Sequence, residues 1–98
     1  MAVLEHRGRR SGRRYRTPVL AFRVDGGYLV ALLYGANSDW ARNVLAAGSC
    51  ALQRGGRRVE VGSPRMLDIS QGMALLPALM RPAVRLLRVT RVLRLSTT

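Results

Sequence analysis

Tyr15-Arg16-Thr17-Pro18-Val19-Leu20-Ala21-Phe22-Arg23-Val24, then Asp25-Gly26-Gly27, then Tyr28-Leu29-Val30-Ala31-Leu32-Leu33-Tyr34 is the stretch that sets the fold class. Tyr15 to Val24 reads as one long strand, apolar and rich in β-formers. Asp25-Gly26-Gly27 is a strong hairpin turn, because glycine takes positive φ cheaply. Tyr28 to Tyr34 is the return strand. It carries no solvated face, so it belongs at the centre of a sheet.

Working outward, Val3 to His6 is a short strand, separated from Tyr15 by a loop dense in arginine. Downstream, Asn37 or Ser38 caps a helix with Asp39 in its first turn. Its apolar residues Trp40, Val44, Leu45 and Ala47 recur at helical spacing, and Gly48 ends it. Ser49 to Arg54 and Arg57 to Met66 form a second hairpin around Gly55-Gly56, with Val59 and Val61 alternating against Arg58 and Glu60. Pro64 is expected to confine pairing there to an edge or to the strand's end.

From Ser70 the pattern turns helical through Gln71 to Met80, interrupted by Pro77. Pro82 opens a further helix over Ala83 to Leu87. Reading the arginine-rich tail as one amphipathic helix fails, because Val92 and Leu95 land on the arginine face. A helix to about Arg88 and a strand from Thr90 to Leu95 fit better. The expected fold is mainly β with α (α+β): a small antiparallel barrel of five or six strands, with one inserted helix and C-terminal helices.

A chain of 98 residues is expected to form a single domain over 1–98. Cys50 and His6 are the only residues of their kinds, which excludes an internal disulfide and an ordinary Cys/His zinc site. The N-terminus lacks a signal-peptide pattern, and a cytoplasmic location is expected. The longest uncharged stretch, Ile69 to Met80, has 12 residues and is interrupted by Gly72 and Pro77, too short to span a bilayer.

The 17 basic residues, all arginine, stand against 5 acidic ones, for a net charge of +12. The partner of such a chain is anionic, and guanidinium forks suit phosphate and carboxylate. High-GC coding accounts for the missing lysines but not for clustering. Six arginines fall between positions 7 and 16, in Arg7-Gly8-Arg9-Arg10-Ser11-Gly12-Arg13-Arg14-Tyr15-Arg16-Thr17-Pro18. Glycines there let backbone amides approach an anion, and Ser11 and Thr17 add hydroxyl donors. The alternative is a solvated basic loop.

A second constellation is Tyr34-Gly35-Ala36-Asn37-Ser38-Asp39-Trp40-Ala41-Arg42-Asn43, a loop entering a helix. Its helix N-terminus can receive an anion or ring carbonyl. Trp40 can wall a flat ring, and Arg42 and Asn43 can hydrogen-bond across to the loop or a ligand. Equally, Trp40 is a core aromatic and Asp39 a first-turn charge favoured by the helix dipole. No nucleophilic triad, carboxylate pair or metal-assisted set is written in the sequence, so redox chemistry would belong to a bound cofactor. Tyr15, Tyr28 and Tyr34 can each donate a proton, though each is also an ordinary strand aromatic.

Gly8-Arg9-Arg10-Ser11-Gly12, Arg16-Thr17-Pro18, Asp25-Gly26-Gly27 and Asp39-Trp40-Ala41-Arg42-Asn43-Val44-Leu45-Ala46-Ala47-Gly48 occur in one order and spacing. In this the chain resembles the deazaflavin-dependent nitroreductase family over about residues 3 to 66. The stretch from Met80 to Leu95 looks like the tail of that family's compact members. The resemblance implies an FMN-binding split barrel-like fold and coenzyme F420 as cofactor, with FMN as the alternative. F420 carries a phosphodiester and an oligoglutamate tail, and its reduced form passes a hydride to an electron-poor acceptor of nitro, quinone or enone type.

The cofactor-binding residues that follow from the resemblance and the two constellations are Arg9, Arg10, Ser11, Arg13, Arg16, Thr17, Ser38 and Trp40. The loop from Gly35 to Trp40 would border the ring. Family members carry a helical segment before the first strand, whereas this sequence begins at that strand, which implies a reduced substrate side. The other partner suggested is an anionic lipid, fatty acid or membrane surface, met by the arginine-bordered C-terminal region without catalysis. No specific nucleic-acid partner is expected, since five aromatics and no reading motif offer only weak, salt-sensitive binding.

Overall fold

A computed structural model describes residues 2–32 and 38–97. Among the described residues seven strands, rather than the five or six expected, form one sheet: β1 (Ala2–Arg7), β2 (Arg14–Val19), β3 (Ala21–Val24), β4 (Gly27–Ala31), β5 (Ser49–Arg54), β6 (Arg57–Asp68) and β7 (Arg91–Thr97). Helices α1 (Asp39–Ala47), α2 (Ile69–Leu75) and α3 (Arg81–Leu86) complete the described chain, with a 3-10 turn at Ala78–Met80. The fold is therefore α+β and mainly antiparallel β, as expected.

The strand order is β2-β1-β5-β6-β7-β4-β3. Strands β2 and β3 stand at opposite ends of that order, yet only Leu20 separates them along the chain. The sheet must curl until its edges meet, which gives a barrel split along that seam. The single strand expected over Tyr15 to Val24 is thus two strands. Up to Val19 the backbone pairs with β1, and from Ala21 it pairs with β4. Pro18 is tolerated in β2 because that strand ends the sheet and needs no second partner.

The hairpin turn falls where the sequence places it. Val24 pairs with Gly27, and Gly26 has φ of 76°, a value that glycine adopts without strain. Gly27 is constrained differently: a Cβ there would run into the carbonyl oxygen of Leu95 on β7. Its return strand is central, between β3 and β7. Tyr28 and Val30 enter one core cluster with Leu4, Leu52 and Leu93, whereas Leu29 and Ala31 enter another with Leu76, Val84 and Val92. One face of β4 thus meets the barrel interior and the other is covered by the α2 and α3 region. That is why the segment has no polar face.

The placing of Pro64 needs correction. Pro64 lies inside β6, which runs between β5 and β7 rather than at an edge. The pairing accommodates it through a bulge between Gly62 and Arg65, where Ser63 turns to φ of 49°. The helical pattern from Ser70 to Met80 is interrupted at Pro77 as expected, and α2 stops at Leu75. Leu76 is extended because Pro77 follows it, and a separate 3-10 turn begins at Ala78. The start of α2 is held by the Gln71 side chain, whose Oε1 accepts the Asp68 N–H at 3.1 Å.

Helix α1 ends at Gly48, whose φ of 78° and N–H bond to the Val44 carbonyl close the last turn. Ala41 and Val44, both fully buried, seat this helix against β1, β5 and β6. The seating brings its first turn beside the arginine loop. Leu33, Tyr34, Gly35, Ala36 and Asn37, and with them the expected end of the return strand at Tyr34, lie outside the described residues.

Candidate functional site

The loop joining β1 to β2 has a defined shape held by its own backbone. Gly8 N–H donates to the Arg13 carbonyl at 2.8 Å, and Gly12 N–H donates to the Gly8 carbonyl at 2.9 Å. Gly12 has φ of 70°, and Ser11 Oγ accepts the Arg13 N–H at 3.2 Å. Charge repulsion among the arginines would otherwise spread such a loop. The two glycines and the serine give it turn geometry that opposes spreading.

Asn43 on α1 ties the loop to the barrel. Its Oδ1 accepts both the Arg9 backbone N–H, at 3.1 Å, and Arg9 Nη1, at 2.8 Å. Arg9 Nη2 also lies 3.6 Å from Asp39 Oδ1. Both Arg9 groups are donors only, so the Asn43 amide can be oriented in one way. Its Nδ2 then donates to His6 Nδ1 at 3.2 Å, and His6 Nε2 lies 3.0 Å from Thr17 Oγ1. His6 Nδ1 must accept, so the proton of the neutral ring sits on Nε2 and is donated to Thr17. The Thr17 hydroxyl hydrogen is left to point elsewhere. Burial lowers the His6 pKa below its ordinary value, which favours this neutral ring.

Asp39, Arg9, Asn43, His6 and Thr17 thus form one continuous relay of polar contacts from the first turn of α1 to β2. Tyr15, the register partner of His6, stacks on its ring with centroids 5.6 Å apart. Among the described residues His6 and Asn43 are the two buried polar side chains. Their buried polar atoms are satisfied by each other, by Arg9 of the loop and by Thr17 of β2.

A cleft of about 520 Å³ opens over this relay, lined by His6, Gly8, Arg9, Arg10, Ser11, Tyr15, Arg16, Thr17, Asp39, Trp40 and Asn43. Of the residues expected at a cofactor, Arg9, Arg10, Ser11, Arg16, Thr17 and Trp40 line it together. Arg13 and Ser38 do not. Arg9 serves as a strut between loop and helix, and its side chain is 26% exposed. Arg16 bonds Gln53 Oε1 at 2.8 Å and sits 3.8 Å from Glu5 Oε1. Arg10 has no ion pair among the described residues. Trp40 combines both roles the sequence offers it, packing against the barrel core and edging the cleft.

Asp39 contributes the carboxylate in this lining, and Arg9 offsets it, so the cleft favours an anion. A neighbouring cleft of about 640 Å³ shares His6, Tyr15 and Arg16 but is bordered by Glu5 and Glu60 as well as by Arg7, Arg14 and Arg58. Its Cys50 thiol is pushed up to about 12 by burial and stays protonated at neutral pH.

Asn43 reaches across to the loop, as the sequence suggests it can, whereas the Arg42 side chain is exposed. His6 is the site residue that sequence reasoning missed. A signal existed, since Ala2, Leu4 and His6 alternate along β1 and all three are buried.

The cleft suits a cofactor such as F420, with forked cationic donors and hydroxyls along one wall and an indole at its edge. The family model described as F420H(2)-dependent quinone reductase matches residues 1–74, from β1 into α2. Comparison with curated proteins gives no match. The family match spans most of the chain and includes both the arginine loop and α1. This protein belongs to the F420H(2)-dependent quinone reductase family, and its cofactor is coenzyme F420.

Proposed function

We propose that the protein transfers a hydride from reduced F420 to a quinone, and to nitro or enone compounds of similar electron deficiency. The supporting observation is the Asn43 bridge, which holds the arginine loop and the first turn of α1 around one cleft. Arg10 and Arg16 would grip the anionic part of the cofactor, helped by the hydroxyls of Ser11 and Thr17. Arg13, exposed on the same loop, would meet the more distant carboxylates, and Ser38 would act from the helix entry. Trp40 would lie against the ring and keep water from it.

When bound, reduced F420 supplies the hydride from its C5 carbon. The chain's own contribution is binding, orientation and exclusion of water. A neutral His6 donates its proton to Thr17 and so leaves the Thr17 hydroxyl hydrogen for the ligand.

Titration with F420, FMN and NADPH tests this, followed by oxidation of reduced F420 with a soluble quinone. Saturable F420 binding at micromolar concentration and quinone-dependent oxidation are expected. Absence of saturable F420 binding would overturn the proposal.

A further inference from the structure

His6 supports the arginine loop by two routes. Asn43 Nδ2 donates to His6 Nδ1 at 3.2 Å, which leaves Asn43 Oδ1 to accept Arg9 N–H at 3.1 Å and Arg9 Nη1 at 2.8 Å. Tyr15 stacks on the imidazole, and the same phenol ring closes on the loop: a Cβ added to Gly8 would lie 3.0 Å from Tyr15 Cε2. The loop therefore rests on the histidine through a hydrogen-bonded amide and a stacked ring.

The amide route works in one protonation state only. An imidazole protonated on both nitrogens has donors and no acceptor. Asn43 would then have to turn its oxygen toward His6, which sets its NH2 group against the two Arg9 donors and releases both. The charged and titratable groups facing the ring are Arg9 and Arg10 on the loop, Tyr15 on β2, Asp39 on α1 and Cys50 on β5. Glu5 and Arg7, its chain neighbours, alternate to the opposite face of β1, as Arg14 and Arg16 do on β2. Asp39 is engaged by Arg9, and Glu5 by Arg16 and Arg58, so neither carboxylate serves the imidazole. Burial lowers the His6 pKa, which keeps the accepting form in place at neutral pH.

We propose that His6 is a positioning residue for the cofactor cleft: its neutral ring holds Asn43, and through it the arginine loop, in the shape that receives an anion, and proton uptake releases the loop. This rests on the reading of the cleft as the F420 site. The sign of the pH dependence is diagnostic. An imidazolium acting only as one more cation would strengthen anion binding as pH falls, and the anion would raise its pKa. Positioning gives the reverse: affinity falls at low pH, and by linkage the bound ligand lowers the pKa of the ring.

NMR titration of the ligand-free protein between pH 7.5 and pH 5 tests this by following the His6 ring and the Arg9 amide together, with circular dichroism as a check that the fold is kept. The Arg9 amide is expected to shift with the midpoint of the ring. It should not shift in His6→Asn, whose side-chain oxygen takes the place of Nδ1 without titrating. An Arg9 amide indifferent to the protonation of the ring would overturn the proposal. Calorimetric titration with F420 is the second arm. Wild-type affinity should fall by about fivefold or more across the titration of the ring, relative to His6→Asn, in which any ionisation of the ligand itself is still present. Affinity that rises at low pH, or that changes equally in the two proteins, would also overturn the proposal. Absence of F420 binding at every pH would overturn the function proposed for the cleft, and the Arg9 titration, which needs no ligand, would still decide whether His6 holds the loop.

Discussion

Asn43 Nδ2 donates to His6 Nδ1 at 3.2 Å, while the other end of the same amide accepts two Arg9 donors. One side chain therefore sets both the tautomer of a buried histidine and the position of the arginine loop. Replacing it with alanine strands the Arg9 N–H and the His6 acceptor. Asn43→Ala is expected to cost about 1–3 kcal/mol, read by urea unfolding, and to weaken F420 binding. Asn43→Asp would instead face His6 with an acceptor and raise the imidazole pKa, which NMR titration of the ring detects.

The lowered His6 pKa gives stability a pH dependence of known sign. Because the folded state holds the ring neutral, the unfolded chain binds the proton more readily. The contribution is fully present above about pH 6.5, the unfolded value. It is lost as pH falls through the lower folded value. Thermal unfolding between pH 7.5 and pH 5 should show a decline that is shallower in His6→Gln. Parallel profiles for the two proteins would count against a neutral buried His6.

The loop arginines should separate into two kinds. Arg10 has no ion pair among the described residues, so Arg10→Ala should lower F420 affinity by about tenfold or more with little change in unfolding. Arg9 bridges to Asn43 and Asp39. Arg9→Ala should therefore reduce stability as well as affinity. Fluorescence titration and urea unfolding of the two variants, side by side, distinguish these roles.

Gly27 and Gly26 adjoin each other but should respond differently to alanine. At Gly26, with φ of 76°, the cost is that of a left-handed residue, about 1–2 kcal/mol. At Gly27 the methyl meets the Leu95 backbone carbonyl and displaces β4 from β7. That cost should exceed the first, and a Gly27→Ala protein as stable as Gly26→Ala would contradict the close packing of these strands.

Cys50 provides a check on burial. With its pKa pushed up to about 12, little thiolate exists at pH 8. Reaction with a disulfide reagent should be slow in the native protein and rapid in denaturant. Fast native labelling would contradict a thiol held protonated by burial.

The sequence by itself determined the elements that rest on local rules. Asp25-Gly26 makes the hairpin, Gly48 ends α1, Pro77 ends α2, and the apolar run from Tyr28 announces a strand covered on both sides. It also placed the arginines and the Trp40 helix close enough in pattern to mark the family. Only the tertiary structure decided where the 15–24 segment breaks, because the break at Leu20 serves pairing with strands on opposite edges of the sheet. The bulge at Pro64 likewise answers to the register of β7. The same holds for the site. Local sequence shows that Arg9 and Arg10 are charged, but not that Asn43, 34 residues away from Arg9, turns one into a strut. Hydrogen bonds of that separation are set by how the sheet curls, and the curl is a property of the whole barrel.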